Sequence, residues 1–425
     1  MKQFSDLGLA EPILRAIAAE GYNHPTPIQA QVIPAMSAGR DIVGIAQTGT
    51  GKTASFVLPL LDRLAKKIGK ARPAPRHCHA LILVPTRELA AQINDAVRTY
   101  GRHVRPSLAL VVGGAKPGPQ VRALAAGADI VVATPGRLED HLRAGAVKLD
   151  RTQAVVLDEA DQMLDMGFIP AIRRILAKLP AQRQTVLMSA TMPPPIRALA
   201  AQFLNAPQEI AVAPASRPIE RIDQRVIHVA AADKRRTLTD VLRGTDVARA
   251  IVFTRTKRGA DKISEHLEKA GLAAAAIHGN KSQGQRERAL AAFRQGRSRI
   301  LVATDIAARG IDIDDVTHVV NFELPYVAES YVHRIGRTAR AGRAGTAISL
   351  CDGSERGLLR DIERLIGRSL PASGEVQAAS ERPGKPGARP KSGQPQQRRR
   401  RNRAANASGS GKARHRHGME RAAAV

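Results

Sequence analysis

Segments of four or five mostly apolar residues recur along the chain, alternating with longer stretches that carry apolar positions at helical spacing. In the first half these runs are Asp41 to Ile45, Ala80 to Val84, Ala128 to Val132 and Ala154 to Leu157. In the second they are Arg225 to Val229, Ala250 to Phe253, Arg299 to Ala303 and His318 to Phe322. Such runs predict strands buried on both faces, and their alternation with helices predicts parallel sheets wrapped by helices, an α/β fold. The Ala- and Pro-rich stretch from Ala206 to Pro218 interrupts the rhythm and reads as a connector. The expected division is therefore 1–205, a connector at 206–220, a second domain at 221–370 and a tail at 371–425. Beyond Leu370 the composition collapses to Pro, Gly, Ser, Gln, Ala and Arg without one aromatic residue. That tail is expected to be disordered, because it buries too little apolar surface to offset the entropy of ordering.

Two of the predicted strands end in residues suited to phosphate and metal. Asp41 to Ile45 runs into Ala46-Gln47-Thr48-Gly49-Thr50-Gly51-Lys52-Thr53, a phosphate-loop pattern with Ala where the strict motif has its first Gly. The glycines let the backbone wrap around phosphates, and the helix that follows turns its N-terminus to the anion. Lys52 is placed to reach the β and γ oxygens and Thr53 the Mg²⁺. Ala154 to Leu157 runs into Asp158-Glu159-Ala160-Asp161, which offers Asp158 to the metal and Glu159 to an attacking water. Singly, the first segment reads equally as a plain loop and the second as helix N-terminal charge. Together they describe a nucleoside triphosphate site. The second half holds no second phosphate loop, so it is expected to complete a site and not to own one.

At 425 residues, 43% of them hydrophobic, the chain exceeds what a single core supports. Cys78 and Cys351 cannot make a disulfide framework and fit a reducing cytoplasm. His77-Cys78-His79 reads as structural, since alternate strand residues face opposite ways. No stretch approaches the roughly 18 apolar residues of a membrane span, and Met1 to Asp6 lacks a secretion signal's apolar core, so a cytoplasmic protein without a membrane partner is expected. The net charge of +28 points to a polyanion, with nucleic acid first. The tail carries thirteen Lys and Arg against three acids, including Arg398 to Arg401, and reads as a basic interaction tail or as a solvating one. Aromatics are 3% of residues and Trp is absent, which predicts a grip on the sugar-phosphate backbone with weak sequence preference.

Taken in order, Phe4, Gly21 to Gln29, Ala46 to Thr53, Pro85 to Ala90, Gly113-Gly114, Thr134 to Arg137, Asp158 to Asp161, Ser189 to Thr191, His278-Gly279, Gln283 to Arg286, Ala303 to Asp312 and His333 to Arg340 resemble the motif series of the DEAD-box ATP-dependent RNA helicases. The resemblance covers Phe4 to about Leu370. The opening at Phe4, the run Met163 to Phe168 and the short basic tail look most like the bacterial RhlE branch. It implies two RecA-like domains, with ATP and Mg²⁺ on the first and RNA across both. It implies a monomeric enzyme that couples ATP hydrolysis to unwinding short RNA duplexes or remodelling RNA-protein complexes, with ribosomal particles or RNA-decay proteins as candidate associates.

By resemblance, Gln29 matches the donor and acceptor of adenine, Tyr22 stacks on the ring and Phe4 packs nearby. Thr48, Gly49, Thr50, Gly51, Lys52 and Thr53 hold phosphates, Thr53 and Asp158 the metal, and Asp312 the ribose. Arg337 and Arg340 resemble arginine fingers that act with Lys52 and Glu159. From the residues alone, those arginines with Arg343 serve equally as a basic face for RNA phosphates. Asp161, Ser189, Thr191 and His333 resemble residues that relay nucleotide state, the two hydroxyls otherwise being plain caps. Gln283 and Arg286 resemble interdomain bridges. Pro85, Thr86, Arg87, Gly113, Gly114, Thr134, Pro135, Gly136, Arg137, Gly279 and Thr304 resemble RNA contacts. Two departures stand out, Glu323 where many relatives have Asp and Ala339 where Gly is commoner. A different class of function also fits this composition, an RNA clamp or annealing chaperone driven by the tail, with ATP timing release. A DNA-directed translocase fits less well.

Overall fold

The computed structural model describes residues 3–47, 49–66, 73–212, 222–308, 316–339 and 344–374. The first seven strands are β1 (Ile42–Ile45), β2 (Cys78–Leu83), β3 (Leu108–Val111), β4 (Ala128–Ala133), β5 (Ala154–Leu157), β6 (Gln184–Ser189) and β7 (Gln208–Ala211). They form one parallel sheet in the order β3-β4-β2-β5-β6-β1-β7. Parallel neighbours need crossovers, which the intervening helices supply, so helices cover both faces and the central strands β2, β5 and β6 are buried almost end to end. Period-two alternation splits them between two cores. Ile42, Ile82, Val156 and Val186 face one, with Phe56 and Val57 of the helix Lys52–Ala65. Val43, Leu81, Val155 and Leu187 face the other.

The second sheet repeats the plan with β8 (Ile222–His228), β9 (Ala250–Thr254), β10 (Ala274–Ile277), β11 (Ile300–Thr304), β12 (His318–Asn321), β13 (Gly345–Cys351) and β14 (Ala372–Ser373), in the order β10-β11-β9-β12-β13-β8-β14. Both sheets belong to one compact unit. Among the described residues no helix is long and apolar enough to cross a membrane.

Two expected boundaries need correction. Gln208–Ala211, inside the expected connector, is the edge strand β7, in register with β1 from Ile42↔Gln208 to Ile45↔Ala211. Only Ile210 of its four residues is buried, so an edge strand there carries no apolar run to read. At the other end, the fold continues past Leu370. The Val226 N–H donates to the Pro371 carbonyl at 2.8 Å and β14 pairs with Val226 and Ile227 of β8. The rest of the connector, 213–221, and the tail from 375 lie outside the described residues.

Ala339 has φ 55°, in the left-handed region that favours glycine. A Cβ in that conformation costs roughly 1–2 kcal/mol, partly offset because glycine loses more entropy on folding. Ala339→Gly is expected to stabilise the protein by about 0.5 kcal/mol, read as a higher urea midpoint. A lower midpoint would contradict the strain.

Candidate nucleotide site and RNA-facing rim

The carboxyl ends of β1 and β5 flank that of β6 and deliver the two acidic and phosphate-binding motifs to one place. The Ala46 N–H donates to the Ser189 carbonyl at 3.0 Å, extending the β1–β6 pairing by one residue. A glycine's freedom is not used at that position, so Ala46 is tolerated. Gly49 and Gly51 do use it, with φ 82° and 90°. Thr50 closes the turn between them by donating its hydroxyl to the Gln47 carbonyl at 2.7 Å. The helix Lys52–Ala65 starts directly after Gly51 with no side-chain cap, which leaves its first N–H groups for an anion. Lys52 is buried, and its Nζ has no hydrogen-bond partner among the described residues. Thr53 follows it, half-buried, on the first turn. Thr48 lies outside the described residues.

Across the cavity, Asp158 and Glu159 are both buried. The Asp158 N–H donates to the Leu83 carbonyl at 2.9 Å, and its Oδ1 accepts the Glu159 N–H at 3.0 Å. Glu159 has φ 54°, an uncommon conformation for a residue with a side chain, and it heads the short helix Ala160–Asp165. Burial pushes the Asp158 carboxyl up. Burial first, and then the Asp158 charge, push Glu159 up to about 7, against the opposing pull of Lys52 and Arg337. Glu159 Oε2 also has no partner among the described residues. These groups open on a cavity of about 100 Å³ lined by Gln47, Lys52, Glu159, Thr191, His333 and Arg337. A buried ammonium and a buried carboxylate oxygen, both unpaired beside one cavity, fit a triphosphate with its cation. Among the described residues no three His, Cys, Asp or Glu side chains gather into a metal cage. That suits Mg²⁺, which is usually held by one or two carboxylates together with phosphates and water.

The three residues expected at adenine lie on the N-terminal segment ahead of the phosphate loop. Gln29 donates Nε2 to the Gly51 carbonyl at 3.1 Å and accepts the Thr26 N–H on Oε1 at 2.9 Å. Both halves of its amide are thus used inside the protein, one on the phosphate loop and one in the capping box of the helix Pro27–Ser37. Phe4 is packed in the core with Leu7 and Leu9 and holds the N-terminal segment. Tyr22 keeps an open face, 42% exposed, with its hydroxyl 3.3 Å from that of Tyr100.

Asp161 ties the acidic motif to the end of β6. Its Oδ2 accepts the Thr191 N–H and hydroxyl at 3.0 and 3.1 Å, while Ser189 Oγ accepts the Asp161 N–H at 3.2 Å. Ser189 in turn donates to the Thr191 carbonyl at 2.7 Å. The two sheets are joined by a buried ion pair, Arg286 Nε to Glu88 Oε1 at 2.7 Å, and by Arg87 donating to Gln283 Oε1 at 3.3 Å. Arg337 is buried, with Nε donating to the His333 carbonyl at 3.3 Å. Arg340 and Asp312 lie outside the described residues.

Sequence reasoning overlooked Glu88 and Arg334. Arg334 is 1% exposed, bonds Asp305 through Nε and through Nη2 at 2.8 Å, donates to Asn321 and to the Glu323 carbonyl, and lies over the Phe253 ring. It fixes the helix Ala328–Ile335, and Arg337 lies in the turn that follows this helix. The available signal was its place in the basic cluster, three residues before Arg337.

Of the residues expected at RNA, those of the first sheet touch one another. Thr86 caps the helix Arg87–Tyr100 by accepting the Leu89 N–H at 3.2 Å, with Pro85 buried before it. Arg87 lies flat against Gly114, where an added Cβ would meet Nη1 at 1.8 Å. The Gly113 N–H donates to Thr134 Oγ1 at 3.4 Å, and Arg137 donates to the Ala115 carbonyl at 2.9 Å. Pro135 is buried and opens the helix Pro135–Arg143, whose Gly136 is exposed. On the second sheet, Gly279 is exposed beside Lys257, and Thr304 ends β11.

Comparison with known proteins decides what this arrangement belongs to. Residues 26–199 match the family model of the DEAD/DEAH box helicase, and residues 233–342 that of the helicase conserved C-terminal domain. The DEAD-box ATP-dependent RNA helicase CshA of Bacillus subtilis is 42% identical over 367 residues, 86% of this chain and 73% of the relative. CshA of Geobacillus kaustophilus is 44% identical over 370 residues, 87% and 78%. The chain is a DEAD-box ATP-dependent RNA helicase. The helicase is also similar to the structure of Saccharomyces cerevisiae Dbp5 bound to RNA and ADP BeF3, with TM-score 0.77 and 31% identity over 88% of this chain and 96% of that one. Its two sheets are thus the RecA-like domains of the family. These relatives carry the family and not the RhlE branch, since both curated ones bear the CshA name.

Proposed function

We propose that this helicase hydrolyses ATP in the cavity between Lys52, Glu159 and Arg337 and uses the domain closure that assembles this cavity to bend and release one strand of a short RNA duplex. The observation that carries the reading is the pair of unpartnered buried groups, Lys52 Nζ and Glu159 Oε2, beside an arginine from the second domain. Thr53 and Asp158 would hold Mg²⁺, which when bound neutralises phosphate charge. Lys52 draws the terminal phosphates into the loop, and Glu159 orients water for in-line attack. Thr48 belongs to the phosphate cradle, Asp312 to the ribose and Arg340 beside Arg337, by their places in the motifs. Asp161, Thr191 and His333 connect the nucleotide to the cleft. Within the family we place the chain beside the RhlE branch on the run Met163 to Phe168, as a cytoplasmic monomer that acts on ribosomal particles or in RNA decay.

The test is ATP hydrolysis without nucleic acid, with RNA and with DNA of the same sequence, beside Glu159→Gln. Stimulation by RNA alone, lost by more than about a hundredfold in Glu159→Gln while ATP still binds, is the expected result. Equal stimulation by DNA, or a fully active variant, would overturn it.

A further inference from the structure

The composition argues against base stacking, yet one aromatic ring stands well clear of the surface. Tyr326 is 74% exposed, in the turn between β12 and the helix Ala328–Ile335, with Val327 beside it 57% exposed. Tyr100 and Tyr331 are buried. An exposed ring on a turn is ordinarily loose, but this one is braced. The Arg255 guanidinium lies over it, 4.8 Å from the ring centroid. Arg255 is itself held by Glu355, which accepts from Nη2 at 2.9 Å, and by Glu323, which accepts the Arg255 N–H at 2.7 Å. Glu355 is 1% exposed and ion-paired to buried Lys234, which also pairs with Asp352 at 3.0 Å and donates to the Phe322 carbonyl at 3.2 Å. The unusual Glu323 therefore has a task. Its longer side chain reaches the turn after β9 and locks the support under Tyr326.

The ledge stands on the rim that carries the RNA-contacting residues of the second domain. Arg255 follows Thr254, the register partner of Thr304, and β12 is the other neighbour of β9. Two strand spacings, about 10 Å, separate the ends of β11 and β12. Lys257 and Arg258 are exposed on the same rim, and Lys257 donates to Asn280 Oδ1 at 3.0 Å, next to Gly279.

We propose that Tyr326, backed by Arg255, stacks on a base of the RNA just outside the stretch held by its backbone, a subsite beyond the phosphate grip. The inference rests on the RNA reading above. One ring face is occupied by the guanidinium and the other is open, the geometry in which a base extends a cation–π stack. Because every base has a π-face, the subsite adds affinity and little sequence preference.

The test compares the full-length protein with Tyr326→Ala and Tyr326→Phe by fluorescence anisotropy. Three single strands are used: a short one that only fills the groove, one extended at both ends, and the extended one with abasic positions in the extensions. The Ala variant is expected to lose about tenfold in affinity for the extended strand. The Phe variant loses none, and the abasic strand erases the difference. Binding of the short strand and its stimulation of ATP hydrolysis stay at the parent level, which separates a lost subsite from a damaged fold. Equal affinity of the Ala variant and the parent for the extended strand would overturn the subsite and leave the ledge to a protein partner. Failure of the parent to bind either strand would overturn the RNA reading with it.

Discussion

Arg337→Ala is expected to hydrolyse bound ATP roughly 10³- to 10⁵-fold more slowly than the parent, about 4–7 kcal/mol of transition-state stabilisation. The guanidinium comes from the second domain, is 7% exposed, and lines the same cavity as Lys52 and Glu159. In that low-dielectric setting a fixed positive fork acts on charge developing at the phosphate, and removing it takes away the one described arginine of the second domain that lines this cavity. ATP affinity should change little, because the phosphate loop and Lys52 belong to the first domain. Arg337→Lys keeps the charge without the planar fork and should recover only part of the loss. Single-turnover hydrolysis beside equilibrium ATP binding separates the two quantities. A variant that hydrolyses or unwinds like the parent would remove the cross-domain role.

Arg286→Ala, and equally Glu88→Ala, is expected to lower RNA-stimulated hydrolysis and unwinding by about a hundredfold. Each removes one half of a buried ion pair between the domains and leaves the other charge buried alone, a penalty of roughly 3–5 kcal/mol. Neither domain depends on the pair for its own core, so the penalty falls on the joined arrangement. Once the domains separate, the abandoned charge is hydrated again. The double variant buries no lone charge and should lose much less than the sum of the single losses. A double-mutant cycle on kcat/KM reads this coupling. Additive losses would show that the two residues act independently of each other.

What was legible in the sequence follows from which forces leave a periodic trace. Strands buried on both faces must be apolar, so β1, β2, β4, β5, β9 and β11 were readable, and the motifs that follow them landed at the strands' carboxyl ends. β7 was not, because an edge strand with one buried residue leaves no such trace. Gln29 was read by resemblance as the adenine contact, and its bonds to the Gly51 carbonyl and the Thr26 N–H left no trace in the sequence. A spacing rule fixes where a side chain starts and not which acceptor it finds. Glu88 and Arg334 were missed for a related reason. Each is a buried charge whose partner lies elsewhere in the chain, Arg286 for one and Asp305 for the other. Only the packing of separate elements reveals such pairs. Ala339 shows the opposite case, where a departure from the commoner residue foretold a left-handed backbone.

The buried bridge between Arg286 and Glu88 also sets how the protein answers ionic strength. Contacts to RNA phosphates exchange with counterions, so each one weakens steeply as salt rises. A pair sealed from solvent is scarcely screened. Through a salt titration the enzyme is therefore expected to lose its hold on RNA before the bridge between its domains weakens.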